Sequence, residues 1–183
     1  NKKIVAQLQS FHCNALGISG ADGNLIPAMK RPVKDIDYGF AGDIDTDNMM
    51  ALYWDELLQI GFTPVASPIT HDGKGQLLNT NADTIAQEVA KTMSGFYNVS
   101  LIYSFEKSGV LLNVEDESSV IKKLTPAYYT ELKNKKKIFA GMIPKLENAF
   151  AAIQRGVGKV IIGKAENLPE LITGKSGTTI DNE

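Results

Sequence analysis

The sequence predicts an α/β fold, a parallel or mixed sheet covered by helices on both faces. Two observations carry this expectation. Apolar residues recurring at helical spacing alternate, over the whole chain, with short continuous apolar runs of strand length. No internal repeat, low-complexity tract or interdomain linker breaks that alternation. With 183 residues, 43% of them hydrophobic, the chain is long enough to bury a core as a single domain.

The elements follow in order. Ile4, Val5 and Leu8 share one helical face, and Asn1–Phe11 reads as the end of a helix already under way, so the chain is expected to begin inside a larger protein. A short strand is expected over Ala15–Ser19, then a turn in which Gly17, Gly20 and Gly23 recur every third residue, a weak phosphate-loop pattern. Leu25–Met29 and Tyr38–Ile44 read as two strands of a flap or hairpin. Asp45, Thr46 or Asp47 can cap a helix whose core stripe is Met50, Trp54, Leu57 and Leu58, closed by Gly61. Phe62–Ile69 is an apolar strand that Pro64 and Pro68 make irregular or place at a sheet boundary. His71-Asp72-Gly73-Lys74-Gly75 is a turn by composition, and no serine or cysteine nucleophile is paired with its His-Asp neighbours.

Asn79-Thr80-Asn81-Ala82-Asp83 then leads into a helix from about Asn81 to Ser94, with Ile85, Ala86, Val89, Ala90 and Met93 at helical spacing. One short polar residue suffices as a cap; three stand here, near a helix N-terminus that favours an anion. Val99–Tyr103 has the continuous apolar character of a buried parallel strand, and Glu106–Leu111 is the loop at its carboxyl end, where open α/β sheets bind ligands. Helices are expected over Ser118–Leu124 and Pro126–Lys135, with Lys133, Lys135, Lys136 and Lys137 as a solvated helix end. Gly141-Met-Ile-Pro-Lys145 opens a helix with Leu146, Ala149, Phe150 and Ile153 inward and Gly156 closing it. A strand over Lys159–Gly163, a short helix over Leu168–Ile172 and a strand over Gly177–Ile180 complete the chain.

Composition excludes several function classes. A formal net charge of −2 is no footprint for nucleic acid or for an anionic membrane. The lone Cys13 excludes an internal disulfide and suits a reducing compartment, so a cytoplasmic protein is expected. Two histidines and one cysteine cannot supply an ordinary zinc site, and no metal ligands are assigned. No apolar run approaches the ~20 residues that span a bilayer. What remains is small-molecule chemistry. Lys145 sits in a first helical turn, where the dipole disfavours a cation. An anion shared with backbone donors near Gly141 would explain it, as would simple solvent exposure. With Asp83 added, the pattern sketches phosphoryl transfer.

The segments Ser19-Gly-Ala-Asp-Gly-Asn-Leu-Ile26, Asp37-Tyr-Gly-Phe-Ala-Gly-Asp43, Pro64-Val-Ala-Ser-Pro-Ile69, Asn79-Thr-Asn-Ala-Asp83, Ser108-Gly-Val-Leu111 and Gly141-Met-Ile-Pro-Lys145 stand in the order and spacing of the acetylglutamate kinases. The chain thus resembles the amino acid kinase family nearly end to end. The resemblance implies an αβα sandwich with an open, mainly parallel sheet. It implies transfer of the ATP γ-phosphoryl to the side-chain carboxylate of N-acetyl-L-glutamate, or of N-succinyl-L-glutamate, as the second step of arginine biosynthesis. ATP carries its own Mg²⁺, and the enzyme is expected as a homodimer or larger homo-oligomer. Residues roughly 1–83 would form the acyl-amino-acid side and roughly 84–183 the nucleotide side. By position Lys145 resembles the lysine that stabilises the transition state, and Asp83 the carboxylate that organises the catalytic lysines. Asn79, with Asn81 beside it, resembles a ligand of the acylated amino acid. Glu106, Lys107, Ser108, Gly109, Val110 and Leu111, together with Lys137, Ile138 and Phe139, match the stretches that hold ATP.

Two departures stand out. Phe105-Glu106 replaces the usual Thr or Ser followed by Asp, which bears on the nucleotide contacts. The family's amino-terminal Gly-Lys segment with the second catalytic lysine, its Gly-Gly pair and its substrate-binding arginine are not in this sequence, so the chain alone is expected to have little or no activity. A sister kinase acting on another substrate, and a non-catalytic nucleotide or amino acid sensor, are the alternative readings.

Overall fold

The computed structural model describes residues 1–182, and the chain divides into two compact units, Asn1–Glu88 and Val89–Glu183. The first unit holds α1 (Lys2–Ser10), β1 (Ala15–Ile18), β2 (Ala28–Lys30), β3 (Gly42–Ile44), α2 (Ala51–Gln59), β4 (Thr63–Ala66), β5 (Ile69–His71), β6 (Leu77–Asn79) and the start of α3 (Ala82–Met93). The second holds the end of α3, then β7 (Ser100–Phe105), β8 (Lys123–Leu124), α4 (Pro126–Asn134), α5 (Ile143–Gln154), β9 (Lys159–Lys164), α6 (Leu168–Ile172) and β10 (Thr178–Ile180).

In the first unit β1 pairs in parallel with β4, Ala15 opposite Thr63 and Ile18 opposite Ala66. Helix α1 is tied to this pair by polar contacts: Asn1 Nδ2 donates to Val65 O at 2.6 Å and Gln9 Nε2 to Ala15 O at 3.0 Å. Gly17 lies within β1 rather than in a glycine turn, and a Cβ there would collide with the Asn1 side chain. The expected stripe on α2 is narrower than its periodicity suggests: Trp54 is buried, Leu57 is half-buried, and Met50 and Leu58 are exposed. Asp45, Thr46 and Asp47 do not cap α2. Asp45 instead accepts from Asn48 Nδ2 at 2.9 Å around a 3₁₀ turn at Thr46–Asn48, local bonding that competes with helix capping. The single apolar strand expected over Phe62–Ile69 is broken into β4 and β5 around Pro68, which cannot donate to a ladder.

Two antiparallel hairpins, β2–β3 and β5–β6, are joined by bridges between Pro27 and His71 and between Ala41 and Asn79. Their junction is polar and closed to water. Thr70 and Thr80 are buried, their hydroxyls 2.8 Å apart, and Thr80 Oγ1 donates to Gly42 O at 3.2 Å. Gly42 is needed there, since a Cβ would stand 2.6 Å from Thr80 Oγ1 and 2.9 Å from Thr70 Oγ1. This knot fixes the strand end that presents Asn79 and the start of α3.

The second unit is built on a four-stranded sheet in the order β7-β9-β10-β8. β7 and β9 are parallel, as are β10 and β8, while β10 runs antiparallel to β9, so the sheet is mixed. Val160, Ile161 and Ile162 of β9 are all fully buried, which is why that strand reads as a continuous apolar run. Leu146, Ala149 and Phe150 of α5 are buried as their spacing predicts, and Gly156, with φ near 98°, ends that helix. The helix expected over Ser118–Leu124 is absent: a loop leads into β8. Ser118 and Ser119 donate their hydroxyls to Asp116, at 2.6 Å each, and Ile121 N bonds Val110 O at 2.9 Å. Such side-chain bonds offer the backbone an alternative to the helix.

Replacing Thr80 with Val strands the Thr70 hydroxyl and the Gly42 carbonyl, and is expected to destabilise the chain by about 1–3 kcal/mol. Urea unfolding followed by the fluorescence of the single tryptophan, Trp54, measures this; an unchanged midpoint would contradict the hydroxyl knot.

Candidate functional site

The register of β7 on β9, from Ser100 opposite Lys159 to Phe105 opposite Lys164, carries Phe105 to the edge where α5 begins. A cavity of about 350 Å³ opens there. The loop after β7 lines it with Glu106, Lys107, Gly109, Val110 and Leu111, and the approach to α5 lines it with Ile138, Phe139 and Lys145. Ser108 and Lys137 are not among its lining residues. Lys137 is exposed and its N–H closes the end of α4 on Leu132 O at 2.9 Å. Ser108 turns outward: its hydroxyl donates to Glu117 Oε2 at 2.6 Å and its N–H to the same oxygen at 3.1 Å.

The loop is pinned from behind by Thr178, whose buried hydroxyl accepts from Val110 N at 2.8 Å. Gly109 permits this approach, because a Cβ would sit 2.7 Å from Thr178 Oγ1 and 2.9 Å from Val120 Cγ1. Lys145 is the third residue of α5 and half-buried. Its Nζ lies 4.9 Å from the Tyr103 ring centroid and 5.8 Å from that of Phe105, within reach of cation–π attraction.

In the first unit, Asn79 is the exposed last residue of β6 and its N–H bonds Phe40 O at 2.8 Å. Asn81 caps α3, its Oδ1 accepting from Thr84 N at 3.1 Å. Asp83 stands half-buried in the first turn, where the dipole favours a carboxylate. The neighbouring His71-Asp72 pair is a turn device, as its composition predicts. Asp72 Oδ1 accepts from Lys74 N and Gln76 N, which holds its carboxyl below the usual carboxylate range. The His71 ring meets Asn24 Oδ1 at 2.8 Å and Gly73 N at 3.2 Å, with no bond between the two side chains. Among the described residues, no three His, Cys, Asp or Glu side chains are placed to hold a metal ion, and no helix is long and apolar enough to cross a membrane.

Residues 1–164 match the amino acid kinase family. The chain belongs to that family. It is 53% identical over 173 residues to an acetylglutamate kinase of Cytophaga hutchinsonii, covering 94% of this chain and 65% of that protein. It is 50% identical over 180 residues to an acetylglutamate kinase of Phocaeicola vulgatus, covering 98% of this chain and 68% of that one. The solved structure of smu.665 from Streptococcus mutans UA159 superposes on it with a TM-score of 0.78 at 26% identity, over 100% of this chain and 66% of that one. The chain therefore spans about two thirds of the length of the curated relatives it matches. The fold is that of the amino acid kinases, with mixed α/β content and parallel pairing at the cavity-bearing edge.

Within this amino acid kinase chain, sequence reasoning missed Val114 and Met142 in the cavity wall, Tyr103 beneath Lys145, and Glu117. Glu117 is joined to Ser108 by two hydrogen bonds and faces Lys107 Nζ at 3.2 Å. The Ser108 hydroxyl first, then the Ser108 N–H and Lys107, draw its carboxyl down to about 2 from an ordinary 4.5. A helical reading of the following residues hid this clasp; its trace in the sequence is an acidic residue nine positions after Ser108. The arrangement suits a ligand with a flat apolar part for the cavity and an anionic end for Lys145 and the start of α5.

Because the folded-state value is depressed, the clasp is present above the unfolded value and is lost only as pH falls through about 2. The carbon-13 shift of the Glu117 carboxyl is expected to remain at its ionised position at about pH 4, where an unperturbed glutamate is largely protonated. A midpoint near 4.5 would contradict the clasp.

Proposed function

We propose that the protein containing this chain phosphorylates the side-chain carboxylate of N-acetyl-L-glutamate with ATP, forming an acyl phosphate on the route to arginine. The carrying observation is that Lys145 lines one largely apolar cavity together with Glu106, Lys107, Gly109, Val110, Leu111, Ile138 and Phe139, residues of the two stretches that resemble ATP-binding ones. Identity of about half to acetylglutamate kinases from two organisms supports the choice of acceptor. On this reading residues roughly 1–83 serve the acyl amino acid and roughly 84–183 the nucleotide.

The chemistry follows from charge. The attacking carboxylate is ionised at neutral pH, so no general base is required. The barrier lies in bringing one anion against another and in charge shifting toward the leaving phosphate. A preorganised ammonium and the N–H groups of a helix start oppose both, in a site from which water is partly excluded. Lys145 and the first turn of α5 are those groups here. The base and ribose of the nucleotide occupy the apolar wall formed by Val110, Leu111, Ile138 and Phe139, with the phosphates toward Lys145. Mg²⁺ carried by ATP would add to this neutralisation of phosphate charge. Asn79 and Asn81 offer side-chain amides to the acyl amino acid, and Asp83 supplies the carboxylate that orders the catalytic cations. The same reading makes the protein a cytoplasmic homo-oligomer.

The test uses the longest protein its gene encodes, with acyl phosphate trapped as hydroxamate from N-acetyl- and N-succinyl-L-glutamate in turn. Turnover is expected with an acylglutamate, and Lys145→Ala is expected to lower kcat by about 10²–10³, the scale of losing one preorganised charge contact. ATP binding without acyl phosphate from either substrate would overturn the kinase reading in favour of a nucleotide sensor.

A further inference from the structure

Two neighbouring segments meet at the rim of the cavity. The loop after β7 lines it, and so does Val114, from the turn that follows. The two are paired as an irregular hairpin: Leu111 bridges Val120, Leu112 N donates to Ser119 O at 3.1 Å, and Ile121 N donates to Val110 O at 2.9 Å. The turn between them bonds to itself, Asp116 N to Asn113 O at 3.0 Å and the Ser119 hydroxyl to Asn113 O at 3.0 Å. Glu117 reaches further. Its Oε2 crosses the hairpin to Ser108, accepting the hydroxyl at 2.6 Å and the N–H at 3.1 Å, while its Oε1 stands 3.2 Å from Lys107 Nζ.

The two oxygens contribute unequally. The Lys107 and Glu117 side chains are 39% and 46% exposed, and an exposed ion pair adds little. Oε2 holds a hydroxyl and a backbone N–H of one residue at once, and such charge-assisted bonds are the stronger kind. Ser108 stands immediately before Gly109, and a glycine leaves the backbone free to turn in several directions. Thr178 holds Val110 N on one side of that glycine, and Glu117 holds Ser108 on the other. The contact that directs Val110 and Leu111 into the cavity wall therefore comes from a residue outside it.

We propose that Glu117 is a positioning residue for the nucleotide: by fixing Ser108 it holds the 106–111 wall, and Val114 beside it, in the shape that receives base and ribose. The proposal rests on the phosphotransfer reading and deepens it by assigning a residue that sets nucleotide affinity. A loop free to sample other shapes binds with its affinity reduced by the fraction of time it spends in the competent one. Loss of Glu117 therefore weakens ATP binding and leaves the transfer step itself alone.

The test measures Mg-ATP binding by calorimetry and acyl-phosphate formation as hydroxamate, in the full-length protein and three variants. Glu117→Ala is expected to raise the Mg-ATP dissociation constant about five- to twentyfold, with kcat at saturating ATP and the acylglutamate KM held within about twofold. Glu117→Gln keeps an oxygen for Ser108 and drops the charge facing Lys107, so a rise of only about two- to threefold is expected. Ser108→Ala removes the other partner and tests the same contact should Glu117→Ala fail to fold. Its loss is expected to be intermediate and not to add to that of Glu117→Ala in the double variant, since both delete one interaction. In the ligand-free protein the Ser108 amide is expected to exchange faster in Glu117→Ala. An unchanged ATP constant, additive losses, or a fall shared equally by kcat and both substrates would overturn the positioning role and leave the kinase reading intact. A wild type that binds Mg-ATP without forming acyl phosphate, with these shifts present, would overturn the kinase reading and support the positioning role. A wild type that binds no Mg-ATP would overturn both.

Discussion

The second unit depends on the parallel pairing of β7 with β9. Parallel neighbours cannot be joined by a tight turn, so the chain between them must cross over, and α5 is the last helix of that crossover. A helix that feeds a parallel strand runs back along the sheet, so it starts near the carboxyl end of the strand that came first. Phe105, the loop after it and Lys145 meet at one edge for that reason, although 40 positions separate the two named residues in sequence. Val160, Ile161 and Ile162 are buried on both faces of β9, so the strand forms the middle of the core. The cavity is therefore a consequence of sheet topology, with its contents chosen by the loops.

Within that frame, small energies decide placements. The dipole penalty on Lys145, about 0.3–1 kcal/mol, is of the same size as or smaller than the attraction of one or two ring faces, about 0.5–2 kcal/mol. The lysine can thus be held at a helix start by packing on aromatic groups. The loop opposite is fixed from two sides, by Thr178 beneath Val110 and by Glu117 across Ser108. Neither contact lies in the cavity itself. Both restrict backbone that would otherwise be the most mobile part of the site, which suits a loop that must present the same wall to every ligand molecule.

Much of this was legible in the residues. The spacing of Ile85, Val89 and Met93 predicts α3, Leu146, Ala149 and Phe150 predict α5, and the apolar run at 159–163 predicts a buried strand, because burial on one helical stripe or on both strand faces leaves a direct trace in sequence. The gathering of residues 106–111 with 138, 139 and 145 was legible only through family resemblance, since no local rule says which loops a crossover will join. Failures came where short polar side chains bond their own backbone. Asp116, Ser118 and Ser119 turn an expected helix into a loop, and Asp45 with Asn48 makes a 3₁₀ turn ahead of α2. Tyr103 was hidden because a buried aromatic on a strand reads as core, and its contact with Lys145 depends on tertiary geometry alone.

The most direct measurement of the central claim, that this cavity is the nucleotide site, is amide hydrogen exchange of the full-length protein with and without Mg-ATP. Protection is predicted in the segments 105–111 and 138–145, with Val110 slowed further by the bond it already makes to Thr178. Saturating Mg-ATP that leaves both segments exchanging at their ligand-free rates, or protects other segments alone, would contradict it.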